Sequence, residues 1–149
     1  MPGYQLAQLN VGIIKGPMDS PLMADFAASL ARINAVADRS PGFIWRLQTD
    51  DGDATAIRPF EDEKLLVNMS VWRDVESLQQ YVYSTAHVEL LRRRREWFES
   101  MNTAFLVLWW VPAGHRPSIA EAIEKLEVLR ANGPNAAAFT FRRPFAPPT

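Results

Sequence analysis

His87 and Arg94 stand seven residues apart in a segment, Trp72 to Phe98, that is rich in rings and reads as helical from Ser84 onward. Stepping from His87 at about 100° per residue, Leu90, Leu91, Arg94, Trp97, Phe98 and Met101 fall within roughly 80° of it. Glu89, Arg92, Arg93 and Glu96 fall on the far side. Both polar groups therefore sit within an apolar stripe, where an unpaired charge is costly. Either they have specific partners or they line a cavity. His87 is open to three readings: a general base or acid near neutral pH, an axial or metal ligand, or a core histidine with its hydrogen bonds satisfied. Arg94 either holds an anionic or enolate oxygen of a ligand or pairs with a carboxylate from elsewhere, such as Glu61 or Glu63.

A second set of candidates is aromatic and amide. Trp45, Trp97, Phe98, Trp109 and Trp110 form either a cage for a flat apolar molecule or plain core and dimer contact. Strand alternation puts Asn68, Ser70 and Trp72 on one face, and Gln8 with Asn10 on one face of the first strand. Arg46 and Gln48 make a similar row opposite Phe43, Trp45 and Leu47. Such polar rows on an apolar sheet suit a cavity with few orienting groups, or hydrogen bonds across a dimer interface. His115, in the Ala-Gly-His-Arg-Pro loop, either caps a pocket or binds the end of the final helix. With two histidines, no cysteine and no close His pair, a metal site has little to draw on.

The elements that must position these groups can be placed from pattern. Strands are expected at Tyr4 to Ile14, Phe43 to Gln48, Leu65 to Trp72 and Thr103 to Val111, with a short last one at Ala138 to Arg142. The fourth is apolar on both faces, which argues burial on both sides. Ser20-Pro21 opens a helix whose apolar residues recur through Ala37 before the Ser40-Pro41-Gly42 turn. Asp74 caps a helix carrying Val75, Leu78 and Val82, and a break at Ser84-Thr85 precedes the His87 helix. Ser118 with Glu121 forms a capping box for a last helix, closed by Asn132-Gly133-Pro134. Thr49 to Pro59 reads as a polar loop.

The order β-α-β-β-α-β is that of a split βαβ, ferredoxin-like α+β unit, a single domain over residues 1–149, with helices on one face of the sheet. Its other face would expose apolar groups, and packing two copies into a dimeric α/β barrel is the economical way to cover it. The chain is 149 residues long and 48% hydrophobic, enough for a real core. A formal net charge of −1 and no long basic face argue against nucleic-acid binding. No apolar run approaches the roughly 18 residues of a membrane span, and no signal peptide is read. A cytoplasmic protein is expected. No G-x-G-x-x-G, G-x-x-x-x-G-K-[ST] or G-x-S-x-G string occurs, so nucleotide and serine-hydrolase readings have no support.

The strings W-x-D-x-E-S-L-x-x-Y-V-Y-S-T-A-H from Trp72, R-x-x-W-F from Arg94, L-W-W-V-P-A-G-H-R-P from Leu108 and A-F-T-F from Ala138 resemble the DUF3291 family over nearly the whole chain. That family looks like a member of the dimeric α/β-barrel superfamily, which includes antibiotic-biosynthesis monooxygenases, haem-degrading enzymes and stress-responsive barrel proteins. The resemblance implies the fold and supplies no established reaction. Against the cofactor-free monooxygenases, Asn68-x-x-x-Trp72 resembles their third-strand Asn and Trp, which implies that Asn68 and Trp72 position an aromatic substrate. The haem-degrading relatives carry an axial histidine further along the following helix, at a place that falls near Leu91 here. His87 sits about one turn too early for that role.

The leading expectation is a homodimeric barrel that binds a small, flat, mostly apolar molecule between sheet and helices. If catalytic, it needs no cofactor and works as a monooxygenase, isomerase or cyclase on an aromatic or enolisable compound. His87 would move the proton, Arg94 and Asn68 would stabilise the oxyanion, and Trp72 and Trp109 would clamp the ring. The alternative is a non-enzymatic dimeric binding or stress-related module, its barrel filled solid by Trp45, Trp72 and Trp109. Haem on His87 or His115 is a third reading, weakened by the misplaced histidine.

Overall fold

The fold is taken from a computed structural model, which describes residues 3–48, 65–101 and 103–148. Four strands, β1 (Tyr4–Ile13), β2 (Phe43–Arg46), β3 (Leu65–Trp72) and β4 (Leu106–Pro112), form one antiparallel sheet in the order β2-β3-β1-β4. Between them run α1 (Ala24–Arg39), α2 (Val75–Val82), α3 (Thr85–Arg92) and α4 (Arg94–Trp97), and α5 (Ile119–Asn132) follows β4. The first and second strands run parallel with the third inserted between them, which is the split βαβ arrangement expected. The fold is ferredoxin-like α+β, the protomer architecture of the dimeric α/β barrels.

Three helices, α2, α3 and α5, begin at a side-chain acceptor. Asp74 takes the backbone N–H of Ser77 at 2.8 Å and its hydroxyl at 2.6 Å, and so fixes the start of α2. Ser84 caps α3 through the N–H of His87 at 3.4 Å. Ser20 leads into a short 3-10 turn, Pro21–Met23, that precedes α1. The turn from α1 into β2 needs Gly42, whose φ of 84° is left-handed and whose missing Cβ leaves room for Ser77.

Several local expectations change. The His87 helix does not run to Met101; it breaks at Arg93, which ends α3 and begins α4, and Phe98 is already extended. Ser118 does cap α5, at 3.1 Å from the N–H of Glu121. The Glu121 carboxylate, however, does not turn back to complete a capping box. It accepts from the Trp109 indole at 2.9 Å and meets His115 at 2.7 Å. Ala138 to Arg142 is not a strand but a turn held by isolated bridges, one of them Phe139 to Leu108. The expected loop at Thr49 to Pro59 lies outside the described residues.

The two faces of the sheet are packed differently. On one, Ala7, Leu9, Val11, Met69, Val107, Trp109 and Val111 are buried with Ala122, Leu126 and Leu129 of α5. This is the face expected to stand open, and α5 covers it within a single chain. On the other face, beneath α1 to α4, there are two separate apolar clusters. Leu6, Trp72 and Leu108 pack with Ala37, Leu78 and Phe139 at one end. Ile14 and Leu66 pack with Met23, Phe26 and Trp97 at the opposite end. Between the clusters the strands turn polar, and there the helices do not close on the sheet.

Candidate functional site

The middle of that face carries Gln8 and Asn10 from β1 opposite Ser70 and Asn68 of β3. Gln8 Nε2 donates to Asn68 Oδ1 at 2.7 Å and to Ser70 Oγ at 2.8 Å, and Asn10 Nδ2 donates to Asn68 Oδ1 and Gln8 Oε1, both at 3.2 Å. Ser70 Oγ also accepts the Trp72 indole N–H at 2.8 Å. These bonds fix the chemistry of the surface they leave. The Asn68 oxygen is taken twice, so its carboxamide presents the NH2 edge, and Asn68 is the exposed member of the network. Ser70 Oγ, accepting twice, retains its own O–H as a donor. An apolar surround makes such fixed donors stronger than they are in water.

Above this row is a cavity of about 310 Å³, at the small end of ligand pockets. Phe26, Leu30 and Ile33 of α1, Leu78 and Tyr81 of α2, His87 and Leu90 of α3, and Arg94 and Trp97 of α4 form its helical wall. Of the residues anticipated from sequence, the structure gathers His87, Arg94, Asn68, Trp97 and Phe98 around this one space.

His87 is largely buried, and among the described residues its Nδ1 makes no hydrogen bond. Burial pushes the imidazole below its ordinary pKa of 6.5, with the Val82 main chain pulling weakly the other way. It is therefore neutral near pH 7. Tyr81 meets its ring edge-on at 5.0 Å and is itself stacked on Trp72 at 5.1 Å. Burial raises the Tyr81 phenol to about 12, so it stays protonated.

Arg94 lies over two rings, 5.0 Å from the Phe98 centroid and 4.7 Å from that of Phe105. Among the described residues no carboxylate pairs with it; Glu61 and Glu63, considered as partners, lie outside them. The other cavity-lining guanidinium, Arg46, bonds Asp38 at 2.8 and 3.3 Å.

Five anticipated residues do not line the cavity, among them Trp110, which packs on Phe139 and donates its indole N–H to the Phe145 carbonyl at 2.8 Å. Trp109 is on the opposite face, fully buried against α5 with its indole bonded to Glu121. Trp45 packs on that same face, because an irregularity between Phe43 and Trp45 shifts the register and turns Arg46, not Trp45, toward Ser70. Phe43 instead shares the cavity-side face with Trp72, edge-on to it at 5.4 Å. Trp72 lies one layer behind the cavity, supporting Tyr81 and Ser70. His115 belongs to the start of α5 through Glu121 and is exposed. A ring clamp by Trp72 and Trp109 is therefore ruled out, since Trp109 faces away and Trp72 is covered.

The lining residues not singled out from sequence are chiefly Tyr81, Phe105, Asn34, Phe141 and Gly12. Tyr81 had a signal: it lies on the stripe of Leu78 and Val82. So did Gly12, as an isolated glycine within a strand pattern, which marks a close approach. The approach is that of Phe98, whose ring would stand 2.6 Å from a Cβ at this position. Asn34, Phe105 and Phe141 carried no comparable cue.

Among the described residues no group of three His, Cys, Asp or Glu is arranged to hold a metal ion, and no helix is long and apolar enough to cross a membrane. No curated protein matches the chain. Among solved structures, a conserved protein from Methanosarcina mazei Go1 is similar with a TM-score of 0.51 at 13% identity, covering 76% of this chain and 93% of that one. SnoaB, a cofactor-independent oxygenase from Streptomyces nogalater, gives 0.48 at 16% identity, covering 77% and 96%. A Pseudomonas aeruginosa protein, PA3566, gives 0.49 at 11% identity, covering 76% and 95%. At such identities the likeness concerns the fold. The family profile of DUF3291, a domain of unknown function, matches residues 5–149, and the chain belongs to that family.

Proposed function

We propose that the chain binds a small, flat, mostly apolar molecule in the cavity between sheet and helices. There it moves a proton on that molecule without a cofactor, as an isomerase, cyclase or monooxygenase acting on an enolisable compound. One observation carries this reading. A neutral imidazole, His87, lines an apolar cavity together with a carboxamide network in which the Asn68 NH2 and the Ser70 O–H are left to donate. His87 takes a proton from carbon next to a carbonyl, and the electron pair moves onto the carbonyl oxygen. The Asn68 NH2 and Ser70 O–H are the donors available to that oxygen. Return of the proton to another carbon completes an isomerisation; in the oxygenase variant, the carbanion itself reduces oxygen. Trp97 and Phe98 supply apolar wall, and Trp72 acts from behind by holding Tyr81 and Ser70.

A solidly filled interior would have favoured the alternative, a non-enzymatic dimeric binding or stress-related module. The cavity is instead open, with Trp45 and Trp109 on the far face.

The test is exchange of the α-protons of 2-tetralone in D2O, followed by proton NMR with and without the protein. Acceleration above buffer is expected, at least about 10²-fold lower in a folded His87→Phe variant than in the unaltered protein. Equal exchange with and without protein, or full activity in His87→Phe, removes the proton-transfer role.

A further inference from the structure

The two polar ends of the cavity are far apart. His87 meets Tyr81, Tyr81 stacks on Trp72, and Trp72 is opposite Leu6 on β1. Arg94 lies on Phe98, which sits over Gly12. Leu6 and Gly12 are separated by roughly 20 Å of strand. Along the helices, the seven residues from His87 to Arg94 correspond to about 10 Å. Arg94 and the proton-transfer end thus stand about 10 Å apart along the helical wall, far enough to address different parts of one ligand.

The charge around Arg94 is unusual for a half-buried guanidinium. No Asp or Glu lines the cavity among the described residues, and Arg46 is already engaged with Asp38. The Arg94 guanidinium lies over the rings of Phe98 and Phe105, 5.0 Å and 4.7 Å from their centroids. Among the described residues its N–H edges make no hydrogen bond or ion pair. Two ring contacts restrain the guanidinium, and its free N–H groups are the fork that matches a carboxylate in bidentate fashion. A recess of about 240 Å³ adjoins the cavity at this point, sharing Arg94, Phe98 and Phe105 and bordered by Arg95 and Glu99. Arg94 thus stands where the two spaces meet.

We infer that the ligand is an elongated, flat monocarboxylic acid, its permanent carboxylate held by the edge of Arg94 and its ring lying over Asn68 toward His87. This deepens the proposed function and rests on the cavity being the ligand site. It separates two roles first assigned together: Asn68 and Ser70 serve an oxyanion that develops during reaction, whereas Arg94 reads a charge present from the start. The cavity volume fits one or two fused rings.

The probes are 2-naphthoate and its neutral isostere 2-naphthamide, titrated calorimetrically near pH 7.5 into the unaltered protein, Arg94→Met and Arg94→Lys. The acid is expected to bind at least about 10-fold more tightly than the amide, as a charge-assisted pair predicts. Arg94→Met should erase that preference while leaving amide affinity unchanged, which also shows that the variant keeps its cavity. Arg94→Lys should retain part of it. If acid and amide bind the unaltered protein equally, or Arg94→Met leaves the preference intact, the carboxylate assignment is overturned and the cavity reading stands. If neither probe binds at millimolar concentration, both fall.

Discussion

Replacing Gly12 by alanine places a methyl group against the edge of the Phe98 ring, 2.6 Å and 2.7 Å from two of its carbons. Ordinary contact begins near 3.4 Å, so the ring must retreat by about 0.8 Å, a displacement typical of overpacked cores. It has little freedom to do so. Phe26 abuts Phe98 at right angles, 5.2 Å between centroids, and the Arg94 guanidinium covers it at 5.0 Å. Overpacking of this kind costs about 1–3 kcal/mol. The narrower unfolded ensemble of alanine returns about 0.4–1 kcal/mol, leaving a net loss centred on about 1.3 kcal/mol. For a chain of this length that lowers Tm by about 2–8 °C. The assay is a double-mutant cycle in urea with Phe98→Leu, which removes the ring the new methyl strikes. The double variant should be more stable than additivity predicts by about 1 kcal/mol or more. An unchanged Tm in Gly12→Ala, or an additive cycle, would refute the close approach and the geometry that seats Arg94.

Two further outcomes follow from the same structure. Because burial lowers the folded pKa of His87 below its ordinary 6.5, the unfolded chain binds more protons between those two values. Its contribution to stability is complete above about pH 6.5 and declines as the pH falls toward the folded pKa. Urea unfolding at about pH 8 and about pH 5.5 should therefore show a smaller loss in His87→Phe than in the unaltered protein; equal losses would place the imidazole in solvent. Glu121→Ala strips the acceptor from the buried Trp109 indole and should cost about 1–3 kcal/mol. In a Trp109→Phe background the same change should cost far less, and an equal cost in both would show that the indole bond contributes nothing.

How far the site could be read from sequence depended on which periodicity carried the information. A helix assigns each residue an angle, so His87, Arg94, Trp97 and Phe98 were identifiable as one inward stripe before any contact was known. The stripe survives the break at Arg93 because α4 resumes at once. No glycine or proline marks that break. A strand assigns only a side, and which side faces what is left open. Asn68, Ser70 and Gln8 were correctly grouped, while Trp109 was assigned to the cavity although the residues before and after it, Leu108 and Trp110, have the cavity-side parity. Trp45 was lost to one irregular step in β2, for which the sequence has no signal.

The apolar run in β4 was read as burial on both sides, and that is what the structure shows, with a consequence for assembly. Leu108 packs beneath the helices of the cavity face, and Val107, Trp109 and Val111 pack with α5 on the other. The second burial was expected to come from another copy of the chain. Here it comes from the chain itself, held by the Glu121 link between α5, Trp109 and the His115 loop. A homodimer remains our proposal, but among the described residues α5 occupies the sheet face on which a second copy was expected to pack. Native mass spectrometry at micromolar concentration reads the copy number directly. A dimer that persists in Glu121→Ala, where α5 is loosened, would indicate an interface independent of that helix, and a monomer in the unaltered protein would show that α5 has taken the place of the second subunit.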